Sequence, residues 1–440
     1  MEHRRFSYKS LDALREDIAK ANVELPVSEN LGVPAQSIKI GDVTLSNRLA
    51  IHPMEGCDGT VLGEPGDLTF RRYKRLAAGG AGLIWFEACA VVEEGRANGR
   101  QLYLNGQTLP SFKSLLDSIS GRPYTVLQLT HSGRYSKPSP DAYAIVATDE
   151  NPYLDPLSNP RRRLISDDEL EALEDRYVEA ARLAKDAGFD AVDVKACHRY
   201  LISELLGAHN RNGKYGGSFE NRTRFLLNII EKIRSSVNID VTLRLNACDV
   251  LPYPYGWGCD ADGNPDLKEP LRLMKILSDK GVGLVNLTIG NPYYNPHIGR
   301  ACDVGPYKAP EHPIESAARM LNIIRELKSA APSVAVIGTG FSWFREFGGN
   351  IAAGCIEKGW IDIAGFGRQS LAYPDFANDI LYNGGMVRRK CCVACTKCTE
   401  LMRFGSMAGC VVRDTATYLP LWREATAGRT MMSNKIATHI

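Results

Sequence analysis

Residues Asp190–Phe225 read DAVDVKACHRYLISELLGAHNRNGKYGGSFENRTRF. The opening DAVDV alternates and carries β-branched residues, as a barrel strand does, and ionisable side chains begin where it ends, at Lys195, His198 and Tyr200. Polar groups gathered beyond a strand are costly to keep unless they are used, so this cluster reads as a candidate active site. Tyr215-Gly216-Gly217 then gives a sharp turn into SFENRTRFLLNIIEKIR, where Ser218 is placed to cap a helix and Asn221 and Arg222 fall in its first turns.

The same strand-then-helix unit recurs along the chain. Short apolar runs begin at Arg48 (RLAIH), Gly82 (GLIWFE), Tyr124 (YTVLQL), Asp190 (DAVDV), Asp240 (DVTLRL), Gly283 (GLVNLTI), Ser333 (SVAVIG) and Asp362 (DIAGFG). Between them lie segments such as DELEALEDRYVEAARLAKDAG, apolar at helical spacing and closed by glycine. Eight such units predict an α/β protein of the (β/α)8 TIM-barrel type. A doubly wound sheet is the alternative, but no G-x-G-x-x-G turn follows the first strand. We divide the chain into an N-terminal extension over 1–45, a barrel over 46–388 and a cysteine-rich segment over 389–440. The extension holds a predicted helix near Tyr8 to Ala21 and a hairpin around Gly41-Asp42 that could plug the barrel's bottom.

Lys plus Arg exceed Asp plus Glu by only two (53 against 51), and no basic stripe interleaved with aromatics occurs, which argues against nucleic acid as a partner. The N-terminus has no apolar signal core, and no run of about 18 apolar residues exists, so neither secretion nor a membrane span is expected and a cytoplasmic address follows. Five of the twelve cysteines fall between Cys391 and Cys410, a distribution that suits metal binding in a reducing compartment.

Two glycine-bearing turns follow the last two strands. In IGTGF, Thr339, Gly340 and Phe341 offer backbone N–H groups to a phosphate, and in GFGRQ, Gly367 does the same while Arg368 adds charge. In the tail, Cys392, Cys395 and Cys398 have C-x2-C-x2-C spacing, with Cys410 following after eleven intervening residues. That spacing suits a [4Fe–4S] cluster, and a tetrahedral zinc site equally; Cys391 is an alternative ligand.

Together with His52-Pro53-Met54-Glu55, Ala88 in FEACAV, Gln128 in QLTHSGR and Arg244 in LRL, the opening stretch resembles the old yellow enzyme family of FMN-dependent ene-reductases. The resemblance runs from about residue 40 to 415. It implies that the backbone of Pro53, Met54 and Glu55 packs on the flavin ring, that Ala88 lies beside it, and that the Gln128 amide bonds its pyrimidine edge, offering both donor and acceptor. Arg244 corresponds to an arginine near flavin N1, where a fixed cation raises the reduction potential; an interior salt bridge is the alternative. His131 and Arg134 match the family too, as architecture.

The resemblance makes His198 a clamp on a substrate carbonyl and Tyr200 a proton donor. Lys195 departs from the family, which commonly has there the first histidine of a His-x-x-His or His-x-x-Asn pair; an ammonium can stabilise a developing enolate, bind a substrate carboxylate or contact the flavin. A packed tyrosine with a satisfied hydroxyl is the plain alternative for Tyr200. The tail resembles the cluster-binding region of the 2,4-dienoyl-CoA reductase and trimethylamine dehydrogenase branch, without its nucleotide-binding domains. That branch has x3 between its second and third cysteines and an Asn-Pro soon after the fourth, where this chain has Val411-Val412-Arg413-Asp414.

The resemblance thus implies FMN, a [4Fe–4S] cluster, electrons from NAD(P)H or a flavoprotein partner, and a small unsaturated carbonyl substrate, in a chain that can form a homo-oligomer. The alternatives are an amine dehydrogenase or demethylase and an electron-transfer subunit. A steroid, a bile-acid intermediate, an aryl enoate and an acyl-CoA are all chemically acceptable substrates. The loop Cys248–Pro265 is expected to roof the pocket, with Tyr293 or His297 reaching into it.

Overall fold

The computed structural model describes residues 1–437, with side chains to residue 427. Eight parallel strands lie where the apolar runs placed them: Leu49–Ile51, Leu83–Ala90, Tyr124–Thr130, Ala191–Val194, Asp240–Asn246, Leu284–Thr288, Ala335–Gly338 and Ile363–Phe366. Each pairs with its sequence neighbour, and the first closes the ring by pairing with both the second and the eighth, Ala50 opposite Leu83 and Ile51 opposite Phe366. A doubly wound sheet would leave two free edges, and this barrel leaves none. Helices cover the strands outside while side chains fill the interior, so the first, second and last three strands are buried at every residue. Burial on both faces is why these runs read as continuously apolar.

The lower interior is a layer of side chains that includes Trp85, Val126, Leu284 and Ile337, and onto it pack Ile38, Ile40, Val43 and Leu45. These last belong to the hairpin Ile38–Ile40 and Val43–Leu45, whose two-residue turn uses Gly41 at φ +57°. The hairpin therefore seals the amino end of the barrel, and ligands are left the carboxyl end.

Local signals set the helix ends. Ser166 and Glu169 form a capping box before Asp167–Ala187, and Gly188 ends that helix at φ +103°. Ser218 accepts the Asn221 N–H at the start of Phe219–Ser236, an interaction worth about 1 kcal/mol. The first helix is shorter than the spacing predicts, Leu11–Lys20 capped by Ser10. Tyr8 leaves it because its ring packs edge-on against Phe6 and Trp343. Beyond the barrel run the helices Lys397–Arg403 and Thr415–Ala437. Residues 438–440, the end of the cysteine-rich segment, lie outside the described residues. Among the described residues no helix is long and apolar enough to cross a membrane.

Candidate active site

All eight strands deliver a residue to one cavity at the carboxyl mouth, with about 1320 Å³ of empty space including the part continuous with solvent. From the first strand come His52, Pro53, Met54 and Glu55; from the next two, Ala88 and Gln128. Lys195, His198 and Tyr200 follow the fourth, and Arg244 the fifth. Thr339 and Gly340 follow the seventh, and Gly367 and Arg368 the eighth. Phe341 is the exception: its ring is buried against Phe366 in the core, and Gly340 and Ser342 line the cavity on either side of it.

The turn after the fourth strand is shaped by unusual backbone. His198 and Arg199 both sit in the left-handed region, at φ +64° and +58°. Two consecutive side-chain-bearing residues there are strained, and strain of this kind persists only where the surroundings hold it. Arg199 supplies the hold: its buried guanidinium pairs with Asp249 at 3.0 Å and its N–H donates to Ser203. The turn delivers His198 and Tyr200 into the cavity. Lys195 Nζ lies 3.7 Å from the centroid of the Tyr200 ring, and the Tyr200 hydroxyl is 3.4 Å from that of Tyr293.

Burial lowers the Lys195 pKa and pushes the Tyr200 phenol well up. Burial, with the charges of Arg244 and Lys195, holds His198 well below the usual imidazole range, so His198 is a neutral ring. Glu55 accepts a 2.7 Å bond from Asn98, and burial raises its pKa in spite of Lys195 across the cavity.

Below this cluster Asp193 organises the floor. It accepts from Gln128 Nε2 at 2.6 Å, Trp85 Nε1 at 2.8 Å and the Arg244 backbone N–H at 2.7 Å. Burial still lifts its pKa to about 6. Gln128 keeps one amide hydrogen and its carbonyl for a ligand. Arg244 is only 7% exposed, yet it has no ion pair among the described residues and its Nε has no hydrogen-bond acceptor. The interior salt bridge that would make it structural is therefore absent among those residues. At the opposite end Arg368 Nη1 is likewise without a partner, and Gly367 lines the cavity with Met54 Sδ 3.0 Å from where a Cβ would stand, too close for a side chain. A buried cation at one end, a glycine and arginine cradle at the other and a free amide between them fit FMN. His131 and Arg134 stay outside the cavity, and Arg134 is buried on Glu204 and Asp155.

The roof differs from the expected one. Cys248–Pro265 contributes nothing to the cavity; its Trp257 is buried, donating to Asn246 O. Residues after the sixth strand form the roof instead, with Tyr293 in the cavity and His297 turned away to Tyr307. The tail completes it with Cys398, Thr399, Met402 and Ala408, tied down by Ala408 N–H to Gly56 O at 2.7 Å and Arg300 to Thr399 at 2.5 Å. No spacing signal marks a residue that reaches over a barrel from a separate segment.

Among the described residues no group of three or more His, Cys, Asp or Glu stands close enough to hold a metal ion. The Cys392, Cys398 and Cys410 thiols nonetheless act on one another electrostatically, as does Cys395 on the last two, and burial pushes Cys392 up to about 12. Cys391 is turned to the Val387 carbonyl.

Residues 36–252 match the NADH:flavin oxidoreductase / NADH oxidase family. An NADPH dehydrogenase of Listeria innocua is 30% identical over 259 residues, 57% of this chain and 72% of that protein. The chain belongs to the old yellow enzyme family. It is accordingly a flavin-dependent oxidoreductase, a class served by FMN and a nicotinamide donor. Among solved structures, a complex of 2-naphthoyl-CoA reductase with 2-naphthoyl-CoA superposes with a TM-score of 0.72 at 22% identity, over 87% of this chain and 57% of that one. Histamine dehydrogenase from Rhizobium sp. 4-9 gives 0.69 at 19% identity, over 87% and 52%. This old yellow enzyme barrel thus spans little more than half the length of those two chains.

Proposed function

We propose that this flavoenzyme reduces the C=C bond of an α,β-unsaturated carbonyl compound. Bound FMN would supply the hydride to the β-carbon. Pro53, Met54, Glu55, Ala88, Gln128 and Arg244 would hold its ring and Thr339, Gly340, Gly367 and Arg368 its phosphate. His198 and Lys195 hold the substrate oxygen, where negative charge gathers as hydride adds, and donors aimed at that oxygen lower the barrier directly. Tyr200, a neutral phenol, protonates the α-carbon.

The observation that carries this reading is the place of Lys195 over the Tyr200 ring. A cage for a cationic amine presents open aromatic faces, and here the chain's own ammonium covers one. Lys195, Arg244 and Arg300 also make the cavity positive, which opposes an amine and favours an oxygen becoming anionic. That weighs against an amine dehydrogenase, the activity named for the Rhizobium relative, and towards the reduction named for 2-naphthoyl-CoA reductase. A pure electron relay has no use for a buried phenol. The test is anaerobic mixing of the reduced enzyme with an enone, an enoate and an enoyl thioester, and of the oxidised enzyme with a tertiary amine. Flavin oxidation by one of the alkenes supports the reading, and reduction by the amine alone overturns it.

Cys392, Cys395, Cys398 and Cys410 are proposed to hold a [4Fe–4S] cluster. In support, the four cysteines have the C-x2-C-x2-C spacing with a later fourth that such a cluster uses, and Cys398 borders the cavity where FMN would sit. Electrons would then enter from a nicotinamide or from a flavoprotein on the cluster side.

A further inference from the structure

Resting on the reading of Tyr200 as proton donor, we propose that Tyr293 is the second member of a two-tyrosine relay that returns a solvent proton to Tyr200. Tyr200 is 5% exposed, and a substrate above it closes off what water remains. Once its proton has gone, it needs a resupply. The hydroxyl of Tyr293 is 3.4 Å away, and Tyr293 itself is half-buried and lines the same cavity. Hydrogen bonds of this kind are often long before substrate binds and shorten in the complex.

Tyr293 is held for that role. Its ring stacks on Tyr135 with centroids 3.7 Å apart and planes 19° from parallel. Buried Asn291 fixes both, accepting the Tyr293 N–H at 2.8 Å and donating to the Tyr135 hydroxyl at 3.4 Å. Exposed Arg403, donating to Pro292 O at 2.9 Å, is the cation that favours a phenolate on Tyr293.

The proton balance closes. Tyr200 O–H breaks as the new C–H forms at the α-carbon; Tyr293 O–H breaks as Tyr200 O–H re-forms; Tyr293 then takes a proton from water. One solvent proton is consumed per turnover. Burial raises both phenols, Tyr293 to about 12, and the charge of Arg403 opposes that rise at Tyr293. Glu55 and Cys57 face both phenols and raise both.

Tyr293→Phe keeps the stacked ring and removes only the hydroxyl. Reoxidation of the reduced holoenzyme by an enone is followed through first and later turnovers in mixtures of light and heavy water. The relay predicts a bowed proton inventory in the unaltered enzyme, with two protons in flight, and a straight one in Tyr293→Phe. The first turnover should be little changed and later ones slowed about tenfold or more, within the range of general acid catalysis. Adding Tyr293→Phe to Tyr200→Phe should cost nothing further. Independently of turnover, the Cζ resonance of ring-labelled Tyr200 should move in Tyr293→Phe. An unaltered inventory and turnover in Tyr293→Phe, with Tyr200→Phe impaired, overturns the relay alone. No loss in Tyr200→Phe overturns the proton-donor reading and the relay with it.

Discussion

The Lys195 ammonium stands 3.7 Å from the centre of the Tyr200 ring, and among the described residues it makes no hydrogen bond and no ion pair. A desolvated cation over an aromatic face gains about 2 kcal/mol, enough to fix the side chain without using its N–H donors. Those donors are left for a ligand. The contact also joins the two residues on which the proposed chemistry turns, one for the substrate oxygen and one for its carbon.

Lys195→Met preserves length and removes the charge. If Lys195 stabilises the developing enolate, alkene-dependent flavin reoxidation should slow about 10²–10³-fold, the cost of losing one oxyanion donor. Stopped-flow absorbance at saturating alkene measures it. A raised KM for carboxylate-bearing substrates with kcat intact would instead assign the lysine to a remote carboxylate.

Arg244→Met should weaken flavin retention about 10–100-fold, as expected for hydrogen bonds to a charged group, and lower the flavin potential. Flavin content after dialysis and a redox titration check both. Unchanged retention together with an unchanged potential would remove Arg244 from the flavin site.

Acid stability should carry the mark of His131, buried at 2% exposure with its Nδ1 accepting the Gly133 N–H. Burial, then the charge of Arg163, brings its pKa down to about 3. In the unfolded chain it is near 6.5, so between these values the unfolded state binds the extra proton and acid favours unfolding. The contribution is full above about pH 6.5 and is lost towards pH 3 at up to about 1.4 kcal/mol per pH unit. Thermal melts of the His131→Gln variant should fall less steeply with acid across that window than those of the parent. Parallel slopes would contradict the assignment.

Anaerobically purified protein should contain iron and acid-labile sulfide in the proportions of one [4Fe–4S] cluster, and Cys398→Ser should lose it. Stoichiometric zinc without iron would make the tail a structural clip.

Much of this was legible in the sequence because barrel strands are short, buried on both faces and punctuated, so all eight show as apolar runs. Residues at their ends are marked by polarity that a core would not tolerate, as at Gln128, Lys195 and Arg244. Asp193 was hidden by its place inside DAVDV, where alternation reads as strand and not as a hub for Gln128 and Trp85. The roof was misplaced because the Tyr, Trp and Gly of Cys248–Pro265 have the composition of a lid, while burial of Trp257 makes them a packed corner. Tyr135 stacking on Tyr293 joins residues 158 apart in sequence, and nothing local foretells such a contact.

The most direct test of ene-reduction is the Tyr200→Phe enzyme examined one half-reaction at a time by anaerobic stopped flow. Flavin reduction by its electron donor should proceed at nearly the parental rate. Reoxidation by an activated alkene should slow about 10²–10⁴-fold, the usual contribution of a positioned general acid. An alkene-dependent rate equal to that of the parent would contradict the account, since the proton would then come from elsewhere.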